Sequence, residues 1–126
     1  LYQATDCLVS MSKAEGWNMP LLEAMACGCN VIATDCTAQT EFCTNDNCLL
    51  IEVDEMEIAY DGHFFKGKCG EWHCVGERQH EQLIEYMRAV HTTRPADVEL
   101  NVAGIETAKK FSWANTAAAI MEVFEE

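Results

Sequence analysis

Positive charge is what this chain has least of. Its 126 residues carry 8 Lys and Arg against 21 Asp and Glu, a formal net charge of -13, and no basic residue falls between Lys13 and Lys66. Such a surface repels phosphate backbones and anionic membranes, which argues against nucleic acid as a partner. Long apolar runs are missing too. Nothing approaches the roughly 18 residues of a membrane span, and the first residues lack the basic-then-apolar pattern of a secretory leader. No transmembrane segment and a cytoplasmic location are therefore expected. Proline is confined to Pro20 and Pro95, so each marks a specific break.

What is present suffices for a core. Hydrophobic residues make up 49% of the chain, enough for one unit with a net stability on the order of 5–15 kcal/mol. Eight cysteines (7, 27, 29, 36, 43, 48, 69 and 74) would suggest disulfides in a secreted chain. Nothing else indicates an oxidising compartment. Cys7 in an apolar run and Cys27 at a helix end read as small buried apolar residues. His63, Cys69, His73 and Cys74 offer zinc-type ligands, but without the repeated short gap of structural zinc sites. A glycine-punctuated surface loop, packed down by Phe64 and Trp72, is the plainer reading, and no metal is expected.

Chemistry concentrates between residues 6 and 28. Asp6 to Ser12 is a short apolar run suited to a buried strand, and Ala24-Met25-Ala26-Cys27-Gly28 is a helix end closed by glycine. Between them Glu15 and Glu23 stand on either side of a turn, with Asn18 placed to N-cap the helix and Pro20 in its first turn. The amides of Gly16 to Met19 and the positive end of the helix dipole would face the carboxyl edge of the sheet, where open α/β sheets bind ligands. Glu23, four residues after Met19, returns to the same face; Glu15 approaches from the other side. Amide donors for phosphate beside two carboxylates for hydroxyls is what a sugar nucleotide needs. Paired glutamates at a helix start are also favoured by the dipole alone, with Glu23 then an ordinary exposed acid.

The run Glu15-Gly16-Trp17-Asn18-Met19-Pro20-Leu21-Leu22-Glu23-Ala24-Met25-Ala26-Cys27-Gly28, followed by Val31 to Asp35 and by Glu41-Phe42, resembles the E-x7-E signature of the retaining GT-B glycosyltransferases, the group-1 and glycogen-synthase-like enzymes. Leu1 to Asp6 and Phe111-Ser112-Trp113 are similar to the family as well. The resemblance implies an α/β fold, a Rossmann-like parallel sheet flanked by helices that forms part of the C-terminal, donor-binding domain. It implies that Glu15, the catalytic-site residue, contacts hydroxyls of the donor sugar. By the same resemblance the amides of Gly16, Trp17, Asn18 and Met19 hold sugar and diphosphate, Glu23 binds the ribose hydroxyls, and Glu41 either contacts donor or caps a helix that it begins. The partners implied are a nucleotide sugar and a glycan or other hydroxyl acceptor, with no cofactor and no metal. Trp17-Asn18 departs from the Phe-Gly of many relatives, and Trp17 is read as packing through its ring. The Arg and Lys that neutralise the diphosphate in the family lie upstream of Leu1. The 126 residues are accordingly expected to be a partial domain, inactive alone and completed by an N-terminal half or a second copy.

The rest organises into short elements. Val31 to Thr34 reads as a central parallel strand and residues 48–53 as another. Glu41-Phe42 begins a helical turn, and residues 54–76, with Gly62, Gly67, Gly70 and Gly76, read as a long loop. Closing helices follow over 77–126. One has Leu83, Ile84, Met87 and Val90 at helical spacing with a break at Pro95; the second spans 96–111 with Val98, Val102, Ile105 and Ala108; the last is capped by Ser112, with Ala118, Ile120, Met121 and Phe124 along one side. His80 and His91 fall on helix surface. Two other function classes stay open, a non-catalytic interaction domain and a small zinc-stabilised domain.

Overall fold

Apolar strands alternating with helix-forming segments call for parallel strands joined by crossovers, and the chain folds that way. A computed structural model describes residues 1–92 and 100–125. After a 3-10 turn at Tyr2–Ala4 come β1 (Cys7–Ser10), α1 (Met19–Ala26), β2 (Asn30–Thr34), a 3-10 turn at Thr37–Glu41, and β3 (Leu49–Ile51). Then follow β4 (Met56–Tyr60), β5 (Lys66–His73), α2 (Glu77–Thr92), α3 (Val102–Lys110) and α4 (Trp113–Glu125). The first three strands form a parallel sheet with β2 in the centre, Val9 opposite Ile32 and Ala33 opposite Leu50. Val31, Ile32, Ala33 and Thr34 are all buried, as a central parallel strand covered on both faces must be.

Helix α1 lies against this strand through Leu21, Leu22, Ala24 and Met25, in one cluster with Val31, Ala33, Phe42, Cys43 and Cys48. Its end explains Gly28. The Gly28 and Cys29 N–H groups donate back to Met25 and Ala24 at 2.9 and 3.0 Å, a Schellman cap that places Gly28 at φ +79°, a conformation only glycine adopts without strain. Helix α3 packs on α1 and is fastened by Asn101. That residue donates from its backbone to the Gly28 carbonyl at 2.9 Å and from its side chain to the Asn47 carbonyl at 2.8 Å. Its Oδ1 caps α3 by accepting from Gly104 N–H at 2.8 Å.

Helix α2 covers the outer edge of β3 with side chains. Gln79 and Tyr86 donate to the Glu52 and Leu50 carbonyls at 2.9 and 3.2 Å, and Gln82 accepts from Glu52 N–H at 3.2 Å. A strand edge that would otherwise present unpaired backbone is thereby closed.

Several expectations need correction. Residues 54–76 are not an irregular loop: β4 and β5 pair as an antiparallel hairpin. Met56, Ile58 and Tyr60 alternate along it but face solvent, while Ala59 faces inward. Glu41 ends the 3-10 turn at Thr37–Glu41 rather than beginning one. The third strand is shorter than 48–53, and α3 starts at Val102, not at 96; Pro95, Ala96 and Val98 lie outside the described residues. Ser112 does cap the last helix, its Oγ accepting from Asn115 N–H at 3.2 Å. From Trp113 to Phe124 every side chain of α4 is exposed. No helix among the described residues is long and apolar enough to cross a membrane.

Candidate functional site

The loop from Met11 to Asn18 leaves the carboxyl end of β1, crosses the end of β2 and returns to start α1. Its path is fixed by hydroxyls and amides. Thr34 at the end of β2 donates to the Ser12 carbonyl at 2.6 Å. The Glu15 N–H donates to the Thr37 hydroxyl at 3.0 Å. Ser12 Oγ donates to the Glu15 carboxylate at 2.6 Å, which aims that carboxylate along the loop rather than into solvent.

Below the loop lies a buried polar network. Asn18 Nδ2 donates to Ser10 Oγ at 2.9 Å and to Gln39 Oε1 at 2.6 Å. Gln39 Nε2 in turn donates to the Thr34 carbonyl and approaches its hydroxyl at 3.1 Å. Ser10 and Ser12 hydroxyls close the ring at 3.3 Å. Thr34 and Gln39 are fully buried and Asn18 nearly so, yet each finds partners, as buried polar groups must. Two residues accept strained backbone here: Asn18 at φ +64° and the β-branched Thr37 at φ +55°. Such outliers persist only where the surroundings over-determine them, and they cluster at functional sites.

Each sequence-predicted residue has a definite place. Glu15 is half-buried beside Ser12, and Gly16 is exposed with open space where a Cβ would stand. Trp17 packs its ring, as expected, with centroids 5.5 Å from both Phe42 and Phe111, which pins the loop to the end of α3. Asn18 does occupy the position before α1, but its side chain makes no cap; it turns inward to Ser10 and Gln39. The first-turn amides of α1 are therefore not consumed by Asn18, and Met19 above them is half exposed. Glu23 stands on the exposed face of α1, near the Tyr2 hydroxyl. Desolvation first, and then this carboxylate, raise the Tyr2 pKa. Glu41 is exposed at the end of the 3-10 turn.

The cation carried by the loop itself, Lys13, is already paired. Lys13 Nζ pairs with the Glu57 carboxylate of β4 and lies 5.3 Å from the centroid of the Trp72 ring. Trp72 Nε1 donates to the same carboxylate at 2.9 Å. These two donors, Lys13 first, hold the Glu57 carboxyl below its ordinary value. At the hairpin tip the N–H groups of His63 and Phe65 do the same for Asp61.

Other candidates separate from this site. A cleft of about 260 Å³ lined by Tyr2, Thr5, Asp6, Cys27, Gly28, Cys29 and Leu100 opens at the opposite, amino end of the sheet. All eight cysteines are free thiols. Among the described residues no three His, Cys, Asp or Glu side chains converge in a way that holds a metal ion, so the zinc-stabilised alternative has no ligand set there. Sequence reasoning missed Ser10, Ser12, Thr34, Thr37, Gln39 and Glu57. The available signal was the density of small hydroxyl residues at strand ends, Ser10 closing β1 with Ser12 beyond it and Thr34 closing β2 with Thr37 beyond it.

Residues 1–61 match the family model of glycosyl transferases group 1. The match spans β1, the loop, α1, β2, β3 and β4, and so contains Glu15, Glu23, Glu41 and the buried network. No curated protein matches the chain.

Proposed function

We propose that the carboxyl edge of the parallel sheet is a nucleotide-sugar site and that the chain is the donor-binding part of a glycosyltransferase of the retaining, E-x7-E type. One observation carries the reading: the segment similar to group-1 glycosyl transferases includes a strained loop held by buried polar groups at the carboxyl end of a parallel strand, where α/β sheets bind ligands. Gly16 to Met19 supply amide donors and the α1 dipole for the diphosphate. Gly16, with nothing near its missing Cβ, admits close approach of the ligand. Glu15, oriented by Ser12, accepts hydrogen bonds from donor-sugar hydroxyls, and Glu23 accepts from ribose hydroxyls. Glu41 is the outermost contact.

In this reading the chain positions the sugar for transfer to an acceptor hydroxyl. Glu15 contributes orientation and electrostatics rather than a covalent bond, and the leaving phosphate takes the acceptor proton. The acceptor face is supplied by a second unit, an N-terminal half or another copy. Titration calorimetry with UDP, GDP and ADP sugars tests the reading. Heat with one nucleotide series, lost in Glu15→Ala and weakened in Glu23→Ala, is expected; no heat with any donor overturns it. The rival reading, an interaction domain without donor affinity, predicts that second result.

A further inference from the structure

The proposed site contains a positive charge that is already occupied. Lys13 lies two residues before Glu15, and its backbone is fixed on the hairpin side, its carbonyl accepting from His73 N–H at 3.2 Å. Its ammonium reaches the Glu57 carboxylate, with the Trp72 ring beneath and the Trp72 N–H on the same carboxylate oxygen. No Lys or Arg occurs from residue 14 to 65. Lys66 pairs with Tyr60 at the far end of the hairpin, whereas His73 pairs with Met56 at the near end, several strand residues of about 3.3 Å each away.

We propose that Lys13 is the diphosphate-facing cation of this site and that Glu57 is its resident anion, so that ligand phosphate and Glu57 compete for one ammonium. The proposal rests on the nucleotide-sugar reading above. Both partners are more than a third exposed, 37% and 39% for their side chains, so water and ligand reach the pair, and an exposed ion pair of this kind is weak enough to exchange. Lysine suits the role: a point charge on a flexible four-carbon stem can leave one acceptor for another without a change of backbone. The Trp72 N–H stays on Glu57 after the exchange, so the carboxylate is not left without a donor. The hairpin then sets how much of the site's charge is available to ligand, a role that binding elements on the loop alone could not supply.

The test is calorimetric titration of UDP, GDP and ADP into the full chain as wild type, Glu57→Gln, Lys13→Gln and the double variant. Glu55→Gln, which removes the same charge two residues away, serves as control. Glu57→Gln is expected to bind the preferred nucleotide about two- to fivefold tighter, the range that freeing an exposed pair allows. Lys13→Gln should bind more weakly, the double variant should match Lys13→Gln, and Glu55→Gln should match wild type. Circular dichroism melts check that each variant is folded, and Lys13→Arg, which keeps the charge, should retain binding if Lys13→Gln fails to fold. Unchanged or weaker binding by Glu57→Gln, a gain that persists in the Lys13→Gln background, or an equal gain in Glu55→Gln overturns the competition while leaving the donor site standing. No binding by any variant overturns both.

Discussion

The Gln39 amide sits between two strand ends and a helix start, taking Asn18 as its donor and Thr34 as its acceptor. Truncation takes one partner from each of those groups in a buried setting, leaving Asn18 only Ser10 and the Thr34 carbonyl only the Cys36 N–H. Gln39→Ala is expected to destabilise the fold by about 1–3 kcal/mol and to loosen the Glu15 loop, measured by chemical denaturation. Cysteine reactivity separates residues in the same way. Burial pushes the Cys7 thiol up to about 11, and the Cys43 thiol together with burial raises Cys48, whereas Cys69 is exposed. Alkylation of native protein followed by mass spectrometry should modify Cys69 first, with Cys29, Cys36, Cys43 and Cys48 reacting only on unfolding, since access and thiolate fraction set the rate. The paired acids, the helix-start proline and the packing of Trp17 could be read from the sequence because motif and local pattern coincide there. The inward turn of Asn18 could not, because it depends on Gln39, twenty-one residues away and silent in any local pattern.

Elements were legible in proportion to their regularity. Helix α1 declares itself through Pro20, its apolar spacing and the glycine that ends it, and β2 through an unbroken apolar run. The β4–β5 hairpin hid behind its glycines. Gly67 and Gly70 adopt φ +74° and +111° and the register shifts between Ile58 and Tyr60, so β5 shows no alternation to read. Met56, Ile58 and Tyr60 do alternate, but with the apolar side outward, against the usual sense of the pattern. The hairpin is held by groups that titrate. Glu57 and Asp61 both have carboxyls depressed in the folded state. A depressed native pKa contributes stability that is present above the unfolded value and lost as pH falls through the native one. Trp72 fluorescence should therefore stay constant from neutral pH down to the ordinary carboxylate range and change below it. Glu57→Gln should flatten the part that arises at Lys13, and a profile unaltered by that substitution would contradict the assignment.

At the scale of the whole molecule, order is unevenly distributed. The cluster around Leu21, Met25 and Val31 has no exposure to speak of, while α4 exposes all its described side chains, Trp113, Val123 and Phe124 among them. Hydrogen exchange read by mass spectrometry should find β2 amides the most protected and α4 amides among the first to exchange, because opening α4 breaks few contacts. Equal protection of the two would show that α4 is covered in solution. Net charge also acts globally. At -13 the chain repels an incoming nucleotide diphosphate, so added salt should quicken its association, the reverse of the usual trend for phosphate ligands.

The two edges of the parallel sheet are not equivalent. On β3 the amide and phenol side chains of Gln79, Gln82 and Tyr86 imitate a neighbouring strand. Among the described residues the backbone of β1, apart from its ladder with β2, is met only by the Cys7 thiol, 3.8 Å from the Leu8 carbonyl. The sheet is thus sealed on one flank and open on the other, which gives it a direction of growth: any strand that extends it has to join beside β1, the strand that leads into the loop carrying Glu15.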